Sequence, residues 1–276
     1  MRLVHISDLH FGAVEPGLPE ALRVAILEAR PDLVAVSGDL TMRGLKREFQ
    51  EATTFLDSIP LPRIVVPGNH DVQGTWKIWE RFLSPWKNYQ SVVDRNLEPV
   101  WRAPGINVLG ANSARPAGWY LDWSRGRVSR RQMASLASSF RDTDKEVLHV
   151  LVVHHPPAAP PGGTPRQLIG RLDEFSSAVN RAGVDLILSG HFHMSYAQAI
   201  PLKAGQATRS CILSSVSTAT SHRRKGEPNG FHVIDGNARE LSIQDWAWNG
   251  THYLKRRTWM FQSGPDRDWK MLSATL

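Results

Sequence analysis

Cysteine is nearly absent from this chain. Cys211 is the one cysteine among 276 residues, so an intrachain disulfide framework cannot form. Long apolar runs are absent as well, because no stretch approaches the roughly 18 apolar residues that a membrane-spanning helix needs. The apolar stretch near Met1 is interrupted too early for a signal peptide. These absences favour a cytoplasmic protein without a membrane span.

Basic residues are in moderate excess. The chain has 33 Lys and Arg against 26 Asp and Glu, which gives a formal net charge of +7. Such an excess favours anionic partners through long-range attraction. Nucleic acid is one such partner, but no recognised nucleic-acid-binding module accompanies the basic clusters, so a small anionic substrate is favoured. The sequence leaves the oligomeric state open.

The length suits one large α/β domain over residues 1–276, although length alone also allows two. Short aliphatic runs alternate with longer amphipathic runs through the first two thirds of the chain. The predicted strands are Leu3–Ser7, Leu33–Ser37, Arg63–Val66, Ile106–Gly110, Val147–Val153 and Val184–Ser189. The predicted helices are Leu18–Arg30, Leu45–Ile59, Arg130–Phe140 with Ser129 as its N-cap, and Gln167–Ala182. This alternation predicts βαβ units and a mainly parallel sheet.

Two regions depart from this alternation of strands and helices. The segment Thr75–Arg102 is rich in Trp and less regular, which indicates an insertion or a lid over the site. Beyond residue 195, consecutive strands joined by turns that contain Gly or Asn are predicted at Cys211–Val216, Phe231–Ile234, Leu241–Trp248 and His252–Phe261. We expect these strands, at about 195–261, to form a second sheet packed on the first.

Five short polar segments directly follow predicted strands. They are Asp8-Leu9-His10, Gly38-Asp39, Gly68-Asn69-His70-Asp71, His154-His155-Pro156 and Gly190-His191-Phe192-His193. Taken singly, each is typical of turn, capping or structural residues. In an open α/β sheet, however, the loops beyond the carboxyl ends of the strands meet at one crevice. The order of the five segments therefore predicts one site built from Asp, His and Asn side chains.

The residue types in these segments indicate metal chemistry. Carboxylate oxygen and imidazole nitrogen suit Mn, Fe or Zn, whereas the lack of thiolates argues against a structural zinc site. A carboxylate such as Asp39 can bridge two cations, and two cations roughly 3.5–4 Å apart can activate a hydroxide and hold the oxygens of an in-line displacement. With only the carboxylates of Asp8 and Asp39, the centre stays positive. Such a centre suits an anionic phosphate ester.

The chain resembles the calcineurin-like metallophosphoesterases, whose pattern runs D-x-H, G-D, G-N-H-[D/E], H and G-H-x-H. Every element is present in order over roughly residues 1–195. The resemblance implies an α/β fold of two packed, mostly mixed β-sheets flanked by helices, in four αββα layers. Gly38-Asp39-Leu40-Thr41 with Gly68-Asn69-His70-Asp71 and His154-His155-Pro156-Pro157 is similar to the cyclic-nucleotide phosphodiesterase and glycerophosphodiesterase branch.

The resemblance also implies roles for individual residues. One metal is expected on Asp8, His10 and His193, and the other on Asn69, His154 and His191, with Asp39 as the bridge. His154 is preferred to His155 because the ligand of the family directly ends its strand. His70 is similar to the histidine that contacts the phosphate and protonates the leaving group; a structural histidine is the alternative. Asp71 and His155 are candidates for a supporting layer around the ligands, and His222 is a candidate substrate contact.

The predicted protein is therefore a dinuclear metal-dependent phosphoesterase with two divalent or mixed-valence ions of Mn, Fe or Zn. We expect a metal-activated hydroxide to cleave a phosphodiester, either a cyclic nucleotide or a small glycerophosphodiester. The alternatives with the same centre are a phosphomonoesterase, a nucleotide pyrophosphatase and a nuclease. The alternative outside enzymes is a catalytically silent binding or scaffold protein of the same fold.

Overall fold

The computed structural model describes residues 1–72, 74, 78–116, 124–140, 146–160, 167–204 and 207–275. The helices are α1 (Leu18–Ala29), α2 (Lys46–Asp57), α3 (Ile78–Leu83), α4 (Lys87–Val92), α5 (Arg130–Ser139) and α6 (Leu172–Arg181). The strands are β1 (Arg2–Ile6), β2 (Leu33–Val36), β3 (Arg63–Val65), β4 (Val100–Ala103), β5 (Ile106–Ala111), β6 (Leu148–Val153), β7 (Leu186–Ser189), β8 (Tyr196–Ala204), β9 (Ala207–Ser215), β10 (Gly230–Gly236), β11 (Glu240–Trp248), β12 (Tyr253–Ser263) and β13 (Trp269–Thr275). A short 3-10 helix spans Asn69–Asp71.

The strands form two mixed sheets. The first has seven strands in the order β13-β12-β11-β10-β1-β2-β3, and the second has six in the order β4-β5-β6-β7-β9-β8. In the first sheet, β1, β2 and β3 are parallel and β10 runs antiparallel to β1. In the second sheet, β5, β6, β7 and β9 are parallel. Each sheet therefore joins a parallel part to antiparallel strands.

The two sheets pack face to face between outer layers of helices. Alternate residues of one strand point to opposite faces, so Leu3 lies in the core between the sheets while Val4 lies in the core under α1, α2 and α4. On the second sheet, Val150 faces the inter-sheet core and Leu151 faces α5 and α6. The expected four-layer αββα arrangement is confirmed. Because both faces of the parallel strands are buried, their sequences are mostly apolar, and polar residues such as His5 and His149 are buried with them.

One expectation about strand pairing is wrong. The strands at about 195–261 do not form a second sheet by themselves, because β8 and β9 join the sheet of β7 and β10 to β12 join the sheet of β1. The six early strands are likewise divided between the two sheets. The reason is physical. The spacing of apolar residues shows which segments form strands, whereas strand pairing depends on which open sheet edge each strand covers. β10 covers the free edge of β1, and β9 covers that of β7.

Several element boundaries also differ from the prediction. Ser129 caps α5 as expected, since its Oγ accepts from the backbone N–H of Gln132. Helix α6 begins at Leu172 and not at residue 167, because the N–H of Gly170 donates to the carbonyl of Gly126 and Arg171 adopts a left-handed conformation. Strand β8 was not predicted because it contains Pro201, which is tolerated on the edge of a sheet.

Part of the Trp-rich segment belongs to the packed layers. Helix α4 packs against α2, and the buried Tyr89 donates from its hydroxyl to the carbonyl of Val65 at 3.1 Å. Strand β4 extends the second sheet by pairing with β5. Residues 75–77, at the start of the expected lid, lie outside the described residues. Each helix in the described part of the chain is too short or too polar to cross a membrane.

Candidate metal centre

The motif segments meet at one edge of the molecule, where both sheets end. Asp8 and Asp39 follow β1 and β2 of the first sheet, whereas His154 and His191 follow β6 and β7 of the second. The two sheets are joined there directly, because the N–H of His191 donates to Oδ2 of Asp8 at 3.1 Å. The N–H of His70 donates to Oδ1 of Asp39 at 2.8 Å. The expected convergence of the strand ends is therefore present, and it spans both sheets.

The backbone at this edge is unusual. Five residues of the motif segments have positive φ angles: Asp8 (54°), His10 (49°), Asp39 (52°), His191 (73°) and His193 (56°). Such angles are uncommon for residues other than glycine and cost about 1–3 kcal/mol each. They turn the chain sharply after each strand and direct the side chains toward a common point. Strained residues concentrate at functional sites, and here the strain coincides with the predicted ligands.

Two glycines allow the segments to approach each other. A Cβ atom on Gly68 would lie 2.1 Å from Oδ1 of Asp39, and one on Gly190 would lie 2.3 Å from Oδ2 of Asp8. Both distances are far below van der Waals contact. The glycines of the G-N-H-D and G-H-x-H segments are therefore required by close packing against the two carboxylates.

The first group of side chains consists of Asp8, His10 and His193, all buried. Nε2 of His193 lies 3.1 Å from Oδ1 of Asp8 and 3.2 Å from Nε2 of His10. The other ring nitrogens face backbone carbonyl oxygens. Nδ1 of His193 donates to the carbonyl oxygen of Arg223 at 2.7 Å, and Nδ1 of His10 lies 3.3 Å from the carbonyl oxygen of Thr41. Both rings thus present Nε2 to the same point, as ligands held by an outer layer do.

The second group contains Asn69, His154 and His191. Nε2 of His154 lies 3.1 Å from Oδ1 of Asn69, and its Nδ1 donates to the carbonyl of Ser37 at 2.8 Å. The rings of His154 and His191 meet edge to face, with centroids 5.2 Å apart. These contacts orient His154 as they orient the histidines of the first group.

Asp39 lies between the two groups. Its Oδ2 is 3.8 Å from Nε2 of His10 on one side and 3.4 Å from Nε2 of His154 on the other. Asp8, Asp39 and His154 also place one ligand atom each within 4.8 Å of one another. This is the position that a bridging carboxylate needs.

Burial and charge set the protonation of the centre. Burial lowers the pKa values of His10 and His191 to about 3, so both rings are neutral at pH 7 and keep a lone pair for a cation. Burial alone would raise the pKa of Asp39, but the neighbouring imidazoles, His154 foremost, hold it well below its usual value. In return, although burial opposes it, the charge of Asp39 raises the pKa of His154 to about 9.

Two buried polar atoms show that these residues fit metal ions. Nε2 of His191 has no hydrogen-bond partner among the described residues, and Oδ1 of Asp8 faces Nε2 of His193 at 3.1 Å without the geometry of a hydrogen bond. A buried polar atom without a partner costs about 1–3 kcal/mol. One cation in each group would satisfy these atoms. The surrounding set of carboxylate oxygens and imidazole nitrogens is that of Mn, Fe or Zn. The buried clusters are consistent with a dimetal site.

His70 stands next to both groups. It belongs to a cluster with His10 and Asp39 whose ligand atoms lie within 4.8 Å of one another. Its Nδ1 donates to the carbonyl of Met42 at 2.8 Å, and its Nε2 faces Nη1 of Arg223 at 3.0 Å. His70 is half-buried, as is Asn69, whereas the predicted Asp and His ligands are buried. It is therefore positioned at the opening of the centre.

Asp71 joins two of the motif loops. Its carboxylate accepts from the N–H groups of Gly68 (2.9 Å), Leu40 (3.1 Å) and Thr41 (2.9 Å), and from the hydroxyl of Thr41 at 2.9 Å. Burial and the charge of Asp39 raise the pKa of Asp71 to about 6. The residue caps the short 3-10 helix and also orients the loop that carries Asp39.

His155 and His222 make different contacts from the predicted ligands. Both ring nitrogens of His155 are engaged, Nδ1 with Oγ of Ser113 at 2.8 Å and Nε2 with the carbonyl of Ser124 at 2.9 Å. His155 also shares a cluster of possible ligands with His154 and His191. Its ring nitrogens contact residues outside the predicted set, whereas Nε2 of His154 faces Asn69 and Asp39, and the choice of His154 as the ligand stays a prediction. His222 is exposed and belongs to none of the clusters that the described residues form. Its role as a substrate contact stays a prediction.

The sequence analysis did not identify the contacts made by Ser37 and Arg223. The carbonyl oxygens of both residues orient predicted ligands, and backbone groups carry no side-chain pattern that could reveal this. The side chain of Arg223 reaches His70 from a loop whose sequence shows only a short basic cluster, Arg223 to Lys225. Its proximity to His222, itself a candidate, was the available signal.

Comparisons with known proteins agree with this geometry. A family profile described as calcineurin-like phosphoesterase matches residues 1–195. A probable cyclic nucleotide phosphodiesterase of Synechococcus sp. is 26% identical over 218 residues, which cover 72% of this chain and 75% of that protein. The glycerophosphodiester phosphodiesterase GpdQ of Enterobacter lignolyticus is 35% identical over 96 residues, which cover 31% of this chain and 34% of that protein.

Solved structures share the fold at low sequence identity. A dimetal phosphatase from Danio rerio is 14% identical, with a TM-score of 0.62, over 92% of this chain and 98% of its own. The purple acid phosphatase PPD1 of yellow lupin is 13% identical, with a TM-score of 0.68, over 97% of this chain and 54% of its own. Together with the profile over residues 1–195 and the buried His and Asp clusters, these likenesses lead to one conclusion: the chain belongs to the calcineurin-like phosphoesterase family and is a metallophosphoesterase.

Proposed function

We propose that this protein hydrolyses a small phosphodiester, either a cyclic nucleotide or a glycerophosphodiester. The observation that carries the proposal is the position of Asp39 between two groups of buried His and Asp side chains, with the half-buried Asn69 and His70 beside them. The preference for a diester rests on the relatives named as cyclic nucleotide and glycerophosphodiester phosphodiesterases.

The residues divide into two ligand sets that share one carboxylate. Asp8, His10 and His193 would hold one ion, Asn69, His154 and His191 would hold the other, and Asp39 lies between the two sets. When bound, the two ions supply positive charge for the phosphoryl oxygens and lower the pKa of water so that it becomes a nucleophile at neutral pH. The protein contributes rigid ligand positions, because carbonyl groups of Ser37, Thr41 and Arg223 fix the imidazole rings.

His70 is the residue that serves the leaving group. Its Nδ1 is bound to the carbonyl of Met42, so Nε2 is the nitrogen available to the substrate. Departure of an alkoxide from phosphorus requires a proton, and a positioned imidazole contributes about 10²- to 10⁴-fold in such a step. In the resting site Nε2 accepts from Nη1 of Arg223 at 3.0 Å. When the substrate displaces that contact, a proton taken up from solvent on Nε2 passes to the departing oxygen. The ring returns to its neutral form, and solvent restores the proton.

A direct comparison of two aryl esters tests the proposal. The metal-reconstituted protein is assayed with bis(4-nitrophenyl) phosphate and with 4-nitrophenyl phosphate, and the chelated protein serves as the blank. We expect metal-dependent cleavage of the diester to exceed that of the monoester in kcat/KM. Faster cleavage of the monoester would assign the protein to the phosphatases instead, and a preference for nucleic acid that falls steeply with salt would assign it to the nucleases.

Variants test the site itself. Asp39→Asn and Asn69→Ala should each lower kcat by at least about 10²-fold, because each removes a ligand atom of the charged centre. Asp57→Asn is the matched control, since Asp57 is an exposed carboxylate paired with Arg63 on the surface. Full activity in either site variant would refute the proposed centre. Metal binding by a wild-type protein that cleaves none of these esters would favour the silent binding protein.

A further inference from the structure

Arg223 reaches the opening of the metal centre from outside the motif segments. It lies on the segment 222–225, here called the basic loop, between β9 and β10. Its Nη1 is 3.0 Å from Nε2 of His70 and 3.7 Å from Sδ of Met42. The backbone carbonyl of the same residue holds Nδ1 of His193. The carbonyl contact holds the backbone of Arg223 against a predicted ligand, and the contacts of Nη1 hold its guanidinium beside His70.

The charge of Arg223 is not neutralised by the protein. Among the described residues, no carboxylate lies within ion-pair distance of its guanidinium, whereas the neighbouring Arg224 pairs with Glu15 at 3.4 Å. Glu227, the acidic residue next along the chain, is within 2.6 Å of Arg256 and 3.9 Å of Arg257. The basic loop therefore presents an uncompensated cation next to the proposed leaving-group histidine.

The guanidinium also keeps unused donors. Arginine has five N–H groups in a planar fork that matches the two oxygens of a carboxylate or phosphate. The hydrogen bonds of Arg223 within the described part of the chain use Nη1, and they leave Nε and Nη2 without a protein acceptor. One of the two Nη1 contacts is to sulfur, which is a weak acceptor. An anionic group on a substrate would be a better partner than either present contact.

We propose that Arg223 is a specificity-determining residue that binds an anionic group carried by the leaving alcohol of the diester. This inference rests on the proposed function, in which Nε2 of His70 faces the departing oxygen. Since Nη1 of Arg223 contacts that same nitrogen, the substituents of the leaving alcohol come within reach of the guanidinium. Within the proposed class, the site then favours glycerophosphodiesters whose leaving alcohol carries a second negative charge over cyclic nucleotides, whose leaving hydroxyl carries none, and over choline or ethanolamine esters.

A pair of synthetic substrates of nearly equal shape tests this preference. Methyl 4-carboxyphenyl phosphate and methyl 4-carbamoylphenyl phosphate differ in the charge of the leaving group, and the ratio of their kcat/KM values is measured at low ionic strength. We compare the wild-type protein with Arg223→Gln and Arg223→Lys. Arg224→Gln is the matched control, because its guanidinium pairs with Glu15. Taking the ratio within each protein removes any general effect of the substitution on folding or metal content.

We expect Arg223→Gln to lower the carboxylate-to-carboxamide ratio about tenfold, as for the loss of one charge-assisted contact. The ratio for Arg223→Lys should lie between those of Arg223→Gln and the wild-type protein. The ratio for Arg224→Gln should stay near the wild-type value. An equal loss on both substrates in Arg223→Gln would overturn the inference and leave Arg223 as a support for His70. An equal drop of the ratio in Arg224→Gln would overturn it as well, because the preference would then be a general effect of charge. Failure of the proposed function is distinguishable, since the wild-type protein would then cleave neither substrate.

Discussion

Nδ1 of His154 donates to the backbone carbonyl of Ser37 at 2.8 Å, which directs Nε2 of the same ring toward Asp39 and Asn69. Ser37 follows β2 of the first sheet and His154 follows β6 of the second. One hydrogen bond therefore connects the two sheets and orients a predicted ligand. The candidate centre is a product of this junction between the sheets.

The contacts of His154 and His155 predict opposite results for the same substitution. His154→Gln should reduce the bound metal from about two ions per chain toward one, because Nε2 of His154 is directed at the centre. His155→Gln should retain both ions, since its two ring nitrogens bind Ser113 and Ser124. Metal content measured by mass spectrometry on the folded proteins checks this. Loss of metal in His155→Gln together with full occupancy in His154→Gln would reverse the assignment.

Asp71→Asn should lower both stability and turnover. The carboxylate accepts hydrogen bonds from Gly68, Leu40 and Thr41, and an amide group would place an N–H donor against at least one of these donors. We expect a loss of about 2–3 kcal/mol in the free energy of unfolding, measured with urea. We also expect a fall of about 10- to 100-fold in kcat, because the loop that carries Asp39 loses its support.

Asp266→Asn provides the control for this experiment, because Asp266 is an exposed carboxylate far along the chain at the turn before β13. Its free energy of unfolding should stay within about 0.5 kcal/mol of the wild-type value. An Asp71→Asn variant as stable as this control would show that the four hydrogen bonds are dispensable.

Gly68→Ala tests the close approach of the motif loops. The backbone of Gly68 is extended, with φ at −103°, so alanine introduces no backbone strain, and the added methyl group collides with Oδ1 and the backbone N of Asp39. We expect a loss of about 1–3 kcal/mol in the free energy of unfolding, together with reduced metal content. Gly264→Ala is the control, because a Cβ at that exposed position meets its nearest atom at 3.6 Å. Equal behaviour of the two variants would contradict the steric explanation.

His232 should make stability depend on pH. The ring is buried between the sheets, with Nε2 2.8 Å from Oγ of Ser195 and Nδ1 2.8 Å from Oγ of Ser214. Burial lowers the pKa of His232 to about 4. The unfolded imidazole titrates near pH 6.5, so between these values the unfolded state binds the proton and the folded state does not. The stabilisation is present above about pH 6.5 and is lost as the pH falls toward 4.

Urea unfolding of the metal-free protein at pH 7.5 and pH 5.0 measures this effect. The difference in the free energy of unfolding between the two pH values should be about 2 kcal/mol smaller for His232→Gln than for the wild-type protein. His252→Gln should keep the wild-type difference, because His252 is exposed in the turn before β12. An unchanged pH dependence in His232→Gln would assign the acid sensitivity to the other buried histidines.

The convergence of the motif segments was predictable from the sequence, because the information that places a polar residue at a strand end is local. A parallel strand that ends at Gly38-Asp39 or Gly190-His191 places its polar residue at the carboxyl edge, whichever neighbours the strand has. The short aliphatic runs at β5, β6 and β7 indicated strands of a mainly parallel sheet. The same local reasoning located α1, α2 and α5 to within a few residues, since amphipathic spacing and the cap at Ser129 are encoded in short stretches.

Strand pairing was decided only by the tertiary structure. The hairpin strands β10 to β12 have the same alternating pattern whether they form a sheet of their own or extend the sheet of β1. The choice depends on the long-range pairing of residues such as Val4 and Val233, which no short stretch specifies. An unpaired edge at β1 would leave backbone groups unsatisfied in a buried place, and β10 removes that cost.

The sequence by itself determined which residues could bind metal, because ligand type and position at a strand end are properties of short segments. The tertiary structure decided how those residues are held and what surrounds them. The carbonyl of Ser37 that orients His154 and the guanidinium of Arg223 that contacts His70 come from segments 117 and 153 residues away. Such contacts arise from the packing of two sheets and their loops, and packing depends on the whole chain.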